Sequence, residues 1–240
     1  MIRATLGLTH EPFHRSDAAL LAQQQRIADT LHVHAQHGGF AVVLGAPGVG
    51  KTVLREHLEH HAKRQNAVVA SLSRTLHTYL NLLQQLAETL KLDAPTRQLE
   101  AQLIQAAYAS IRERKTLYVL IDEAHLIDFA ALRKLRLLFE RFPKNHLLVL
   151  LGQPELMHQL ALLTNLDIKT RITYSVTLLP LTDADLRAWI LAELEVVRLG
   201  ANTYDDGALE LILRNAEGNL RLTRHLCHGS LLEACREGQR

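Results

Sequence analysis

The sequence predicts a three-layer α/β fold on a parallel sheet, followed by a smaller all-helical domain. Three observations carry this. Continuous apolar runs of strand length recur at 40–44, 67–72, 117–121 and 147–151, as strands covered on both faces require. Between them, at 18–36, 52–64, 76–91, 98–113 and 129–142, leucines and alanines repeat at spacings of three and four, the stripe of a helix packed on a sheet. Beyond Pro180 the strand signal stops and only helical periodicity remains.

Each element follows from local chemistry. The 40–44 run enters a glycine-rich turn and the helix over 52–64 starts at once, a strand-turn-helix unit. The runs at 67–72, 117–121 and 147–151 are almost wholly apolar and contain no proline. A fifth run, 173–179, alternates polar and apolar residues, which predicts a strand nearer the sheet edge. Thr182, with Asp183 and Asp185 behind it, is a helix start: a hydroxyl for the free N–H groups and acids for the positive end of the dipole. Helices are expected over 183–198, 205–216 and 219–236, punctuated by Gly200, Gly207 and Gly218. The division expected is a core over 1–181, including an N-terminal segment and helix over 1–38, and a helical domain over 182–240.

Composition narrows the class. At 240 residues, 48% hydrophobic and 22% charged, the chain is neither disordered nor fibrous. Lys+Arg is 27 and Asp+Glu 25, a net +2 that announces no polyanion partner. The balance is uneven, however: residues 182–240 hold seven basic and ten acidic side chains, so the part before them is basic. Cys227 and Cys235, eight positions apart on one helix, lie about 12 Å apart at ~1.5 Å per residue, too far for a disulfide. With no signal-peptide pattern and no apolar run near ~20 residues, the expected location is the cytoplasm.

The chemistry concentrates after the first strand. Gly45-Ala46-Pro47-Gly48-Val49-Gly50-Lys51-Thr52 matches GxxxxGK(S/T), the phosphate-binding loop. Glycines let backbone N–H groups turn inward around phosphates, and the helix N-terminus adds its dipole. Lys51 is placed for the β- and γ-phosphates, Thr52 for Mg²⁺, and Val53 completes the binding set. The alternative is an ordinary glycine-rich turn; the strand before and the helix after favour ATP. Strand 117–121 ends in Asp122-Glu123-Ala124-His125, where Asp122 is expected in the magnesium shell and Glu123 as the carboxylate that activates water. Gln153, just beyond strand 147–151, is expected to sense the terminal phosphate.

Two arginines extend this set. Arg171, ahead of the fifth strand, is expected to reach a neighbouring subunit's nucleotide, with Lys169 as the substitute. Arg221 starts the last helix and is expected to fold back on the γ-phosphate, with Arg224 on the same face. Candidate DNA-backbone contacts are Arg74, Lys115, Arg133, Lys134 and Arg136, with Arg112 and Arg114 beside them; solvated helix faces are the plainer reading of each. The histidine groups His32, His34, His37 and His57, His60, His61 match no zinc spacing and read as helix-face residues; His125 is left unassigned.

These residues give the chain its resemblance, nearly end to end, to AAA+ ATPases, and more narrowly to the ExeA/GspA-like branch with its TniB- and TnsC-type transposition ATPases. The resembling features are Leu8 with Glu11-Pro12-Phe13, Gly38-Gly39-Phe40, the phosphate loop, Asp122-Glu123-Ala124-His125, Gly152-Gln153-Pro154-Glu155-Leu156, Arg171 and Gly218-Asn219-Leu220-Arg221-Leu222. The common form has proline where Leu220 stands, which bears on the angle of Arg221. The resemblance implies ATP-driven assembly into a ring or helical filament with nucleotide at each subunit interface. It also implies binding to duplex DNA and assistance to a DDE transposase in target selection. Secretion-type members carry a membrane helix and a peptidoglycan-binding module that this sequence lacks, so the stand-alone type is expected. A secretion-associated ATPase, and a helicase-loader or replication-initiator ATPase, are the competing readings.

Overall fold

A computed structural model describes residues 2–13, 20–73, 78–93, 95–161 and 166–238, the side chains of residues 166 and 167 excepted. The five expected strands form: β1 (Gly39–Gly45), β2 (Val68–Leu72), β3 (Leu117–Ile121), β4 (His146–Gly152) and β5 (Tyr174–Leu178). All pair in parallel, in the order β2-β3-β4-β1-β5. Because neighbours run the same way, the strand ends at Gly45, Ile121 and Gly152 fall on one edge of the sheet, and the three sequence motifs begin there.

The helices are α1 (Ile2–Leu6), α2 (Ala22–Ala35), α3 (Lys51–Arg64), α4 (Tyr79–Thr89), α5 (Leu99–Arg112), α6 (Phe129–Glu140), α7 (Glu155–Ala161), α8 (Leu166–Lys169), α9 (Asp183–Val196), α10 (Asp206–Ala216) and α11 (Leu220–Arg236). Strand alternation sorts the core into two layers. Val42 and Leu44 face Leu82, Leu86, Leu103 and Leu135 of α4, α5 and α6. Ala41 and Val43 face Ile27, Leu31, Leu54 and Leu58 of α2 and α3. β5 alternates between half-buried and exposed and lies at the edge, as its pattern predicts. β2 departs from expectation. Its apolar run predicts a strand covered on both faces, yet it is the opposite edge, with Val68, Val69 and Ser71 only half-buried.

Residues 18–19 and 76–77, expected in helices, lie outside the described residues; α2 and α4 begin at Ala22 and Tyr79. The three C-terminal helices start on caps: Thr182 Oγ1 accepts from Asp185 N at 3.1 Å, Asp205 Oδ1 from Ala208 N at 2.6 Å and Asn219 Oδ1 from Leu222 N at 3.0 Å. Their core holds Leu186, Trp189, Ile190, Leu209, Leu213 and Cys227, and both Cys227 and Cys235 are free and buried. Of the N-terminal stretch expected with the sheet, α2 packs there, but residues 2–13 pack here instead. Ile2 and Phe13 are fully buried in this helical cluster, the Phe13 ring 5.8 Å from that of Trp189 and 6.5 Å from that of Tyr204. Neither the short α1 nor the residues around Phe13 carry a periodicity that names a partner, so tertiary packing decides.

Where α2 crosses α3, histidines stack: the rings of His32 and His61 lie 3.9 Å apart and His57 lies 6.2 Å from His61. His32 Nδ1 is 3.2 Å from the Tyr118 hydroxyl. Burial first, then the neighbouring His61 and His57, lower the His32 pKa from 6.5 to about 4, against an opposing pull from Asp29. Between pH 6.5 and about 4 the unfolded chain therefore takes up a proton the folded chain refuses. The melting temperature should fall as pH drops through that window, and His32→Phe should flatten the fall; an unchanged slope in a pH series of thermal melts would refute this origin.

Candidate functional site

The phosphate loop leaves β1 at Gly45 and delivers the chain into α3 at Lys51, one residue earlier than its pattern predicts. Gly48 and Gly50 adopt φ of +85° and +103°, the left-handed region that favours glycine. Space imposes the same choice. A Cβ on Gly48 would run into the Asn219 side chain, and one on Gly50 into the Gln24 amide. Lys51 is 6% exposed, and its ammonium donates to the carbonyls of Gly45 at 2.8 Å and Ala46 at 3.1 Å. Burial lowers its pKa, Glu123 and then Asp122 draw it back up, Arg221 lowers it and Glu155 raises it.

Asp122 follows β3, two strands from β1 with β4 between them. Its Oδ2 accepts from the Thr52 hydroxyl at 3.3 Å, and its Oδ1 accepts from the Glu123 amide at 2.9 Å. A hydroxyl and a carboxylate side by side at the loop's helix are the oxygen donors that suit Mg²⁺ together with substrate phosphates. Among the described residues no group of three or more His, Cys, Asp or Glu could hold a metal ion, and the histidine stack is no exception. Glu123 takes a left-handed φ of +51° and turns the chain into a short 3₁₀ turn, Ala124–Leu126, well ahead of α6. The acids thus hang off the strand end rather than sitting in the first turn of a helix. Gln153 follows β4, its side-chain amide nitrogen 3.0 Å from His125 Nε2.

The C-terminal helices close over the loop. Asn219 Nδ2 donates to the Pro47 carbonyl at 3.0 Å, and the Arg221 amide donates to the Gly48 carbonyl at 3.2 Å. Leu220, which stands where the resembling family has proline, is 6% exposed and belongs to the helical core. Arg221 is therefore gathered with Lys51, Thr52, Asp122, Glu123 and Gln153 at this edge of the sheet.

Other expected residues lie elsewhere. Arg171 sits before β5, and its Nε is 3.3 Å from Glu140, which also takes Arg136 at 2.7 Å. With His37, Lys144 and His146 these side chains line a cavity of about 470 Å³ at the N-terminal edge of the sheet, away from the phosphate loop. Lys115 pairs with Glu113 at 2.7 Å, and the Lys134 ammonium lies 5.6 Å over the Tyr79 ring. Arg133 is exposed on α6, and Arg74 lies outside the described residues. Arg136, grouped by sequence with the DNA candidates, is turned toward Arg171 and Glu140 instead.

Sequence reasoning missed three contacts. Gln24, 1% exposed, donates to the Gly50 carbonyl at 3.3 Å. Arg55, 8% exposed, brings Nε to 3.5 Å from Asp122 and donates to Ser71 Oγ on β2 at 2.8 Å. Asn219, seen in sequence only within the Gly218-to-Leu222 stretch, caps α11 and donates to the Pro47 carbonyl of the loop. Arg55 alone left a trace: it stands one turn after Lys51, on the α3 face that meets the sheet.

A parallel sheet with this strand order, its phosphate loop and its paired acids define a P-loop protein of the AAA+ fold. A family model described as AAA domain matches residues 33–160, more than half of the chain, and the chain belongs to that family. It is 29% identical to general secretion pathway protein A of Aeromonas hydrophila over 97% of its own length and 44% of that protein's, and so spans less than half of that relative. Among solved structures it is similar to Cdc6p from Pyrobaculum aerophilum, with a TM-score of 0.73 and 19% identity over 99% of this chain and 67% of that one. It is also similar to the ORC2 protein of Aeropyrum pernix in its ADPNP–ADP complexes, with a TM-score of 0.68 and 16% identity over 96% and 65%. At these identities the structural likeness is one of fold.

The docking of α11 on the loop yields a test. Asn219→Asp keeps an acceptor for the Leu222 amide and loses the donor to Pro47. It should leave thermal stability near that of the parent while amide exchange at Arg221 rises about fivefold, the equivalent of one hydrogen bond of about 1 kcal/mol. Asn219→Ala should add the loss of the cap, about 1 kcal/mol. Unchanged Arg221 exchange in both would mean the side chain does not hold the helix to the loop.

Proposed function

We propose that the chain binds ATP with Mg²⁺ and hydrolyses it, and that it works as an assembly with nucleotide between subunits. The observation that carries the reading is the convergence of Lys51, Thr52, Asp122 and Glu123 at one sheet edge, with Gln153 just beyond the end of the strand between. In it Gly45, Ala46, Pro47, Gly48, Val49 and Gly50 wrap the phosphates through their backbone, and Val53 adjoins them on α3. Lys51 turns its ammonium from the loop carbonyls to the β- and γ-phosphates. Mg²⁺ held by Thr52 and Asp122 supplies charge neutralisation across the phosphates. Glu123 takes the proton from the attacking water, Gln153 contacts the terminal phosphate, and Arg221 links that phosphate to a lid formed by the helices from residue 182 onward. Arg171 lies at the sheet edge away from this chain's own loop, which suits action on the nucleotide of a second copy.

The finer reading is an ATP-loaded oligomer on duplex DNA that assists a DDE transposase. The basic balance before residue 182 supports the DNA part, as does the fold shared with an ORC1 protein solved in complex with DNA and with Drosophila ORC bound to DNA. The same fold likeness leaves an initiator or helicase-loader role open. The transposase rests on the resemblance in sequence. A secretion-associated role is favoured by one observation of its own, the 29% identity to general secretion pathway protein A across nearly the whole chain.

Glu123→Gln should lower turnover at least ~100-fold while ATP binding persists, and normal turnover would overturn the assignment. Arg171→Ala should be inactive alone yet recover turnover when mixed with Glu123→Gln, because each supplies what the other lacks; no recovery would argue against action between subunits. Fluorescence anisotropy with duplex DNA separates the finer readings. ATP-dependent binding that weakens log-linearly with salt supports the DNA role. No binding and no stimulation of hydrolysis would leave the secretion-associated one.

A further inference from the structure

His125 lies between the two side chains to which the proposed hydrolysis gives separate tasks. Its Nε2 is 3.0 Å from the Gln153 amide nitrogen, and its Nδ1 is 3.5 Å from Glu123 Oε2. The arrangement is built from several directions. Asp122 Oδ1 accepts from the Glu123 amide, the left-handed Glu123 reverses the chain, and fully buried Ala124 anchors the turn that follows. The turn then presses against the end of β4, where a Cβ on Gly152 would stand 3.3 Å from the His125 amide nitrogen and 3.0 Å from Leu156 Cδ2. Glycine at 152 thus lets the 3₁₀ turn approach the strand that carries Gln153.

The chemistry of the contacts fixes how the ring is used. A carboxylate only accepts, so the ring atom that faces Glu123 is the one to carry hydrogen. In the neutral ring that leaves Nε2 as an acceptor, which the Gln153 amide satisfies by donating. The His125 side chain is 13% exposed and Nδ1 is buried without a hydrogen-bond partner, whereas the Glu123 side chain is 42% exposed. The ring is the held member of the pair and the carboxylate the movable one, and a small rotation of Glu123 closes 3.5 Å to a hydrogen bond.

We propose that His125 is a positioning residue that ties Glu123 to Gln153, so that the orientation of the water-activating carboxylate depends on where the sensing amide points. This deepens the hydrolytic reading and rests on it. Contact of Gln153 with a terminal phosphate then reaches the general base through one imidazole, with no movement of the sheet.

Turnover with a double-mutant cycle tests the link. His125→Ala and Gln153→Ala should each lower kcat about tenfold, since small misplacements of reacting groups carry losses of this order, and His125→Ala should leave the ATP KM and the affinity for a fluorescent ATP analogue nearly unchanged. The double variant should be no slower than the worse single one. Nitrogen-15 imidazole spectra of the parent should show the His125 proton on Nδ1. If His125→Ala does not fold, His125→Asn keeps a donor near the Nδ1 position without reaching Gln153, and adding Gln153→Ala should then bring turnover no lower than Gln153→Ala alone. Multiplying losses in the double variant, full activity of His125→Ala, a loss confined to KM, or a proton on Nε2 would overturn the link. Normal turnover of Glu123→Gln would instead overturn the underlying assignment of the base, which keeps the two failures apart.

Discussion

A lysine ammonium taken out of water must be met by oxygen atoms, or its burial costs several kcal/mol. Lys51 meets this demand with the carbonyls of Gly45 and Ala46, and the loop exists in the shape that brings those carbonyls round. That curvature needs left-handed backbone at Gly48 and Gly50, and the packing of Asn219 and Gln24 against them leaves no room for a Cβ. The acids answer the same charge. Glu123 and Asp122 both favour the ammonium form that burial disfavours, and they reach it because β4 alone separates their strand from β1. Loop shape, glycine positions and strand order thus act together to meet one buried charge.

Arg55 extends this balance outward. It reaches Asp122 Oδ2, the oxygen that also accepts from the Thr52 hydroxyl, and it is held by Ser71 on the edge strand and by Glu56 and Glu59 on its own helix. Asp122 is therefore shared between a hydroxyl and a guanidinium before any metal competes for it, which orients the carboxylate without leaving it unpaired. On the opposite side, Asn219 joins the helical cluster to the loop through side chain and backbone together. A change in the loop's shape is felt first at the N-terminus of α11, and Arg221 occupies its second position.

Local chemistry made much of this legible. The apolar runs of β1, β3 and β4, the alternation of β5, the capping residue Thr182 and the loop motif each depend on residues close in sequence, and each forms the element its pattern predicts. What escaped depends on contacts between distant segments. Nothing near Phe13 announces Trp189 and Tyr204 as its neighbours, and nothing near Gln24 announces the Gly50 carbonyl. β2 misled for the converse reason: Ala-Val-Val-Ala-Ser-Leu satisfies the pattern of a central strand, and only sheet order decides that it is an edge. Arg136 was grouped with Arg133 and Lys134 by closeness in sequence, but its partner is Glu140 one turn on, with Arg171 from a distant segment on the same carboxylate.

The sheet also gives the molecule a direction that the proposed assembly would use. The phosphate loop, the acids and Gln153 occupy the C-terminal edge of the strands, while Arg136, Glu140 and Arg171 occupy the N-terminal edge. Glu140 is shared, at 2.7 Å from Arg136 and 3.3 Å from Arg171, and the Arg171 side chain is the more exposed of the two cations. If Arg171 swings to a neighbour's nucleotide, Glu140 keeps Arg136 as its partner and no carboxylate is left bare. A lone Arg171–Glu140 pair would have to surrender its whole interaction to release the guanidinium. The second arginine lowers that cost, so a carboxylate shared by two cations suits an arginine that must be held in the free subunit and released at an interface.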